Sequence, residues 1–148
     1  MRLVILLSLA CFLGFTAIGC GGGIKTNYVE GIVTLDGEPL SGASVTFIPV
    51  AEDGLTAGGF SDDWGVYRLS SVNGSGGRGA LAGEYVVTVA KTKEVPLARP
   101  VKHDDGTETK TTSESVLAPI YRERTKTPLK FTVKNGSNKI DLPLKSKP

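Results

Sequence analysis

The sequence predicts an all-β protein: a two-sheet sandwich of seven short strands, following an N-terminal apolar helix that is cleaved away. Three observations predict it. Apolar residues recur at every second position from Asn27 onward, the period of a strand with one buried face. Turn chemistry punctuates these runs, at Asp36-Gly37, Asp62-Asp63-Trp64-Gly65 and Asn135-Gly136. After the first apolar run, no segment carries the period of an amphipathic helix.

The first strand sets Val29, Gly31, Val33 and Leu35 against Glu30, Ile32 and Thr34, and Asp36-Gly37 turns it back. The second carries Ala43, Val45 and Phe47 inward and stops at Pro49, which has no N–H for a ladder. A short third strand is expected around Phe60. Asp62 caps the next turn by accepting backbone amides, and the strand after it points Tyr67 and Leu69 inward. Asn73 to Gly79 is a glycine-rich loop without the strand-to-helix setting of a phosphate-binding loop. Gly83 to Ala90 alternates Tyr85, Val87 and Val89 with Glu84, Val86 and Thr88. The last two strands, Leu129 to Val133 and Ile140 to Leu144, are expected to form a hairpin across Asn135-Gly136, a type I′ signal.

One segment breaks the pattern. Residues 91–118 form a long polar excursion between strands, charged and threonine-rich from Lys91 to Ser115. Connections longer than roughly 12–15 residues without structure are uncommon and tend to be functional or disordered. The excursion is therefore the expected contact surface, or else a solvated loop.

At the N-terminus, Arg2 precedes the apolar run Leu3 to Leu13, and Cys20 closes that region ahead of Gly21-Gly22-Gly23. The run is too short for a membrane span, which needs roughly 20 apolar residues. The segment resembles a bacterial lipoprotein signal: residues 1–19 would be removed and Cys20 lipidated, leaving a linker over residues 20–26. By resemblance to enterobacterial sorting, Gly21 after the cysteine favours the outer membrane. Cys11 lies inside the removed part, so no free thiol is expected in the mature domain for a disulfide or thiolate chemistry. Roughly 125 residues then make one domain of ordinary size. Loss of Arg2 takes the formal charge from +2 to +1, a balance that implies no nucleic-acid partner.

Val29 to Phe47, containing Leu35-Asp36-Gly37-Glu38-Pro39-Leu40-Ser41-Gly42-Ala43, resembles the opening of carboxypeptidase regulatory-like domains. Asp62-Asp63-Trp64-Gly65-Val66-Tyr67 is similar to their D-x-x-G-x-Y hairpin, and Gly83-Glu84-Tyr85-Val86-Val87-Thr88-Val89 to their G-x-Y-x-V-x-V strand. The tail from Leu117 to Asn138 resembles a version abundant among small lipoproteins of Planctomycetes. The resemblance covers residues 27–148 and implies a seven-stranded, transthyretin-like Greek-key β-sandwich without catalytic residues of its own. Hydroxyisourate hydrolases share that fold, but Tyr121-Arg122-Glu123-Arg124 is only a superficial echo of their C-terminal motif.

Little else in the sequence carries chemistry. His103 is the lone histidine, too few for the usual zinc sites or nucleophilic triads. Asp104, Asp105 and Glu108 miss the spacing of an EF-hand loop, so no metal site and no cofactor is expected. The expected contact residues are Trp64, His103, Asp104, Asp105 and Tyr121, with the aromatics suited to stacking on sugars. The expectation is a non-catalytic, lipid-anchored cell-envelope protein that meets the membrane through Cys20 and binds an envelope protein or glycan. The alternative is a passive structural lipoprotein packing against its neighbours.

Overall fold

A computed structural model describes residues 25–71 and 77–146. The expected signal segment, Cys20 and most of the Asn73–Gly79 loop lie outside the described residues. Twelve strands follow in order among them: β1 (Tyr28–Leu35), β2 (Glu38–Pro39), β3 (Ser44–Pro49), β4 (Ala57–Phe60), β5 (Val66–Arg68), β6 (Ser70–Ser71), β7 (Gly83–Ala90), β8 (Thr92–Lys102), β9 (Glu108–Ser115), β10 (Lys130–Val133), β11 (Ser137–Lys139) and β12 (Leu142–Leu144). One 3-10 turn, Pro119–Tyr121, lies between β9 and β10.

Two five-stranded sheets enclose one core. In the first, β1 is central. β11 and β12 run parallel to it on one side, sharing one register, while β2 and β5 run antiparallel on the other. The second sheet is antiparallel throughout, in the order β10-β7-β3-β4-β6. Alternation decides which residues meet between them. Val29 and Val33 from one sheet face Val45, Phe47, Tyr85, Val87 and Val89 from the other, all essentially without solvent exposure. Each such side chain contributes roughly 1.5–3 kcal/mol by leaving water. Phe47 centres an aromatic trio, its ring 6.2 Å from Tyr67 and 5.8 Å from Tyr85 in tilted geometry.

Local chemistry explains the turns. Asp36 and Gly37 both adopt positive φ (53° and 94°), as a two-residue type I′ hairpin requires, and join β1 to β2. Gly31 has a different role. A Cβ there would collide with the carbonyl of Ile140, which sits where β11 breaks into β12. Tyr67 donates from its hydroxyl to that same carbonyl at 2.7 Å. Asp141 accepts the Ile32 amide at 3.0 Å, so its side chain supplies a rung where the strand is broken. Burial, with Asp141 nearby, pushes the Tyr67 phenol well above its ordinary value.

The structure corrects two expectations. Asn135-Gly136 does not close a hairpin: β10 pairs with β7 in one sheet and β11 with β1 in the other. The turn passes between the layers, held by side chains instead of a ladder. Asn138 accepts the Lys134 amide at 2.8 Å and donates to the Lys134 carbonyl at 2.9 Å, while Asn27 accepts the Gly136 amide at 2.9 Å. The second correction concerns residues 91–118. Most of this excursion is a long β-hairpin, and its end turns back into the core, where Leu117 and Ala118 are buried.

Candidate functional site

Among the described residues β8 and β9 pair only with each other, as a separate two-stranded sheet that leaves the body where β7 ends. Val116 donates to the Lys91 carbonyl at 2.9 Å and forms the base of this arm. Its residues are polar or only half covered, with Val95 and Leu97 partly buried and Val101 exposed. Cross-strand ion pairs Lys93–Glu114 (3.4 Å) and Lys102–Glu108 (3.5 Å) brace it. Both are exposed, so each contributes only about 0.2–1 kcal/mol. The register slips between Pro96 and Val101, where residues 97–100 bulge out of β8.

The tip holds three of the expected contact residues. His103 donates its amide to the Thr107 carbonyl at 2.9 Å, and its ring Nε2 pairs with the Thr109 hydroxyl at 2.8 Å. Asp105 accepts from the Thr107 hydroxyl at 2.6 Å and from its amide at 2.9 Å. Those bonds hold the Asp105 carboxyl below the usual carboxylate range. Asp104 is exposed beside them. The geometry makes a closed turn whose polar groups are spent on one another.

Trp64 stands elsewhere. Asp62 accepts the amides of Trp64 (3.0 Å) and Val66 (2.9 Å), as expected of a turn-capping carboxylate. Gly65 takes φ 76°, and a Cβ there would lie 2.6 Å from the Val33 carbonyl. This tight turn leaves the indole 75% exposed. It sits near the base of the arm, since Gly42 bonds Ser61 on one side and abuts the Lys91 ammonium on the other. The strand rise of about 3.3 Å per residue puts the tip roughly 30 Å further out. Trp64 and the His103 turn therefore do not form one site.

Tyr121, expected as an exposed ring, is buried. It is 7% exposed, and its hydroxyl accepts the Lys145 amide at 3.1 Å. Sequence reasoning also passed over Phe60, 73% exposed on the outer side of β4 opposite Ser44. The signal was available: with Ala57 inward, alternation sends Phe60 to the other side only if Gly59 faces in, as it does against the Arg68 carbonyl. Clefts of ≈ 170 Å³ between Val50, Glu84, Lys130 and Phe131, ≈ 150 Å³ beside Pro49 and Asp53, and ≈ 250 Å³ beside Glu30 and Arg68 lie below the about 300–1,000 Å³ typical of small-molecule sites. One of ≈ 330 Å³ at Pro119, Arg122 and Glu123 reaches the lower end of that range. Among the described residues, no three His, Cys, Asp or Glu side chains are grouped to hold a metal ion.

No family model matches the chain, and no curated protein does. Among solved structures it is similar to a 9R-lipoxygenase from Cyanothece PCC8801, at 12% identity and a TM-score of 0.39. That alignment covers 81% of this chain but only 16% of the lipoxygenase. A likeness of this degree bears on neither fold nor activity.

Proposed function

We propose that the protein is a non-catalytic, lipid-anchored interaction module of the bacterial cell envelope. Residues 1–19 are a lipoprotein signal, Cys20 carries the lipid, and the domain from residue 27 belongs with the carboxypeptidase regulatory-like, transthyretin-like Greek-key sandwiches. The observation that carries the reading is the arm: a polar β-hairpin held away from a closed, well-packed body. A rigid body with a projecting element suits presentation of a surface to a protein or glycan. Lipidation at the outer membrane or its periplasmic face would hold that surface among envelope components.

Two experiments test it. Expressed in a bacterium, the chain should fractionate with membranes and incorporate labelled palmitate, and Cys20→Ser should abolish both. Persistence of label or membrane association in that variant overturns the anchor. For the arm, envelope components captured by the full chain should be lost when residues 92–115 are replaced by a two-residue turn. Undiminished capture moves the contact surface to the body.

A second reading, a structural lipoprotein that packs against its neighbours, is favoured by one observation. The outer edge of β9 is unpaired among the described residues, which is the feature strand addition uses.

A further inference from the structure

We infer that the partner of the β9 edge is a second copy of this chain, paired antiparallel about a two-fold axis through Thr112. The inference rests on the reading of the arm as the contact element, and names what it contacts.

The two edges of the arm differ. On β8, Pro96 lies opposite Thr111 and Pro100 follows in the bulge. The Val116–Lys91 rung sets the phase of the ladder. Counting inward from it, antiparallel alternation turns the backbone groups of Glu114 and Thr112 toward β8. The same count turns those of Thr111, Ser113 and Ser115 outward, and it places the nitrogen of Pro96 on the outer edge of β8. Proline has no hydrogen there, so that edge is blocked. β9, Glu108–Ser115, holds no proline and is rich in β-branched threonine, so its edge is open.

A symmetric pair must match outward residues with outward ones and inward with inward. Shifts of one residue are thereby forbidden, and the axis must pass through a residue. Four axes keep most of the strand paired. Through Lys110, that lysine would oppose its own mate, like charge on like. Through Thr111, Glu108 would oppose Glu114 of the second copy, like charge on like. Through Ser113, Lys110 would oppose Val116. Through Thr112, Lys110 opposes Glu114 of the second copy, and the symmetry makes that pair twice. Thr111 then opposes Ser113 on the other face, where hydroxyl pairs are favourable. No carboxylate among the described residues pairs with Lys110. Glu114 already meets Lys93 at 3.4 Å, so the pairing extends an existing charge row across the interface. The contact is isologous and closed, two arms forming one four-stranded sheet with β8 on each rim.

Disulfide trapping in the full chain tests this register, in detergent and with Cys11→Ser and Cys20→Ser removing the native thiols. On the axis, a non-hydrogen-bonded pair has Cα atoms about 4.5 Å apart, within the range a disulfide spans. Thr112→Cys should therefore form a covalent dimer under mild oxidation. Thr111→Cys faces Ser113, not itself, with its own mate roughly 7–8 Å away on the diagonal, and should link far more slowly. Adding Lys110→Glu, or separately Glu114→Lys, to the Thr112→Cys chain should slow linking about tenfold. Mixing those two variants should restore it, because each then offers the charge the other needs. Equal rates for the 111 and 112 cysteines, no dimer from Thr112→Cys, or no recovery on mixing each overturn the pairing. None of these outcomes touches the lipid anchor, which Cys20→Ser tests on its own.

Discussion

β7 and β8 are successive strands of one chain, separated by a single residue, yet they obey different rules. β7 alternates Tyr85, Val87 and Val89 inward and lies between two other strands with a second sheet beneath it. β8 carries Val95, Leu97 and Val101 on a similar alternation, but among the described residues it pairs with one strand only and has no sheet beneath it. Backbone pairing alone suffices to shape a hairpin here. It does not suffice to bury one, and an isolated two-stranded ribbon is marginal in water. Stability resides in the body, and the arm contributes surface.

The largest effect should come from the centre of that contrast. Phe47 has no solvent exposure and touches both Tyr67 and Tyr85. Phe47→Ala should cost about 3–5 kcal/mol in denaturant unfolding, from lost transfer energy plus a cavity. A loss under about 1 kcal/mol would mean that the two sheets are not joined through this aromatic trio.

A smaller but sharper effect is expected at Gly31. An alanine Cβ would overlap the Ile140 carbonyl, so the β11–β12 strand must shift before the methyl fits. Gly31→Ala should destabilise by about 1–3 kcal/mol, the range for overpacking, although it adds apolar surface to a buried strand. A neutral result would show that the closing strand is more loosely held than its hydrogen bonds indicate.

Tyr67→Phe removes only a hydroxyl, with its bond to that same carbonyl, and should cost about 0.5–1.5 kcal/mol near neutral pH. Its pH dependence is more diagnostic. The folded-state pKa is raised by burial, while the unfolded phenol ionises near pH 10. The folded state then retains a proton that the unfolded state releases. The stability tied to the neutral phenol is complete below about pH 10 and falls as pH rises through and beyond it, toward the folded value. Wild type should lose stability more steeply than Tyr67→Phe above about pH 10. Parallel curves would place the phenol in contact with water.

The body was legible in the sequence because its strands bury one face. Alternation located Val29 to Leu35, Val45 to Phe47 and Tyr85 to Val89, and the structure buries those residues as expected, Leu35 in part. Asn135-Gly136 misled because a turn signal is local. Val133 on one side, and Ile140, Leu142 and Leu144 on the other, point into the core equally well from two sheets as from one. Only the side chains of Asn27 and Asn138 distinguish the cases, and they act across the fold. β9 is not legible as a strand from alternation because Glu108 to Ser115 has no apolar face; its threonines carry the strand preference unaided. Tyr121 follows the apolar run Leu117-Ala118-Pro119-Ile120, and the structure buries it with Leu117 and Ala118 while Pro119 stays exposed.

The smallest expected effect completes the contrast. Lys91 and Val116 are already bonded, so an Asn-Gly turn in place of residues 92–115 closes the same rung without moving β7. The deletion removes two exposed ion pairs and little buried apolar surface, and shortens a loop whose closure entropy changes slowly with length. Hydrogen exchange in β3 and β7 should be unchanged. At dilution that keeps the intact chain monomeric, the arm amides should exchange far faster than those of β7, because local opening of a two-stranded ribbon exposes nothing the body needs. Arm protection should then rise with protein concentration, as the free edge of β9 acquires from the second copy the neighbour that β7 already has.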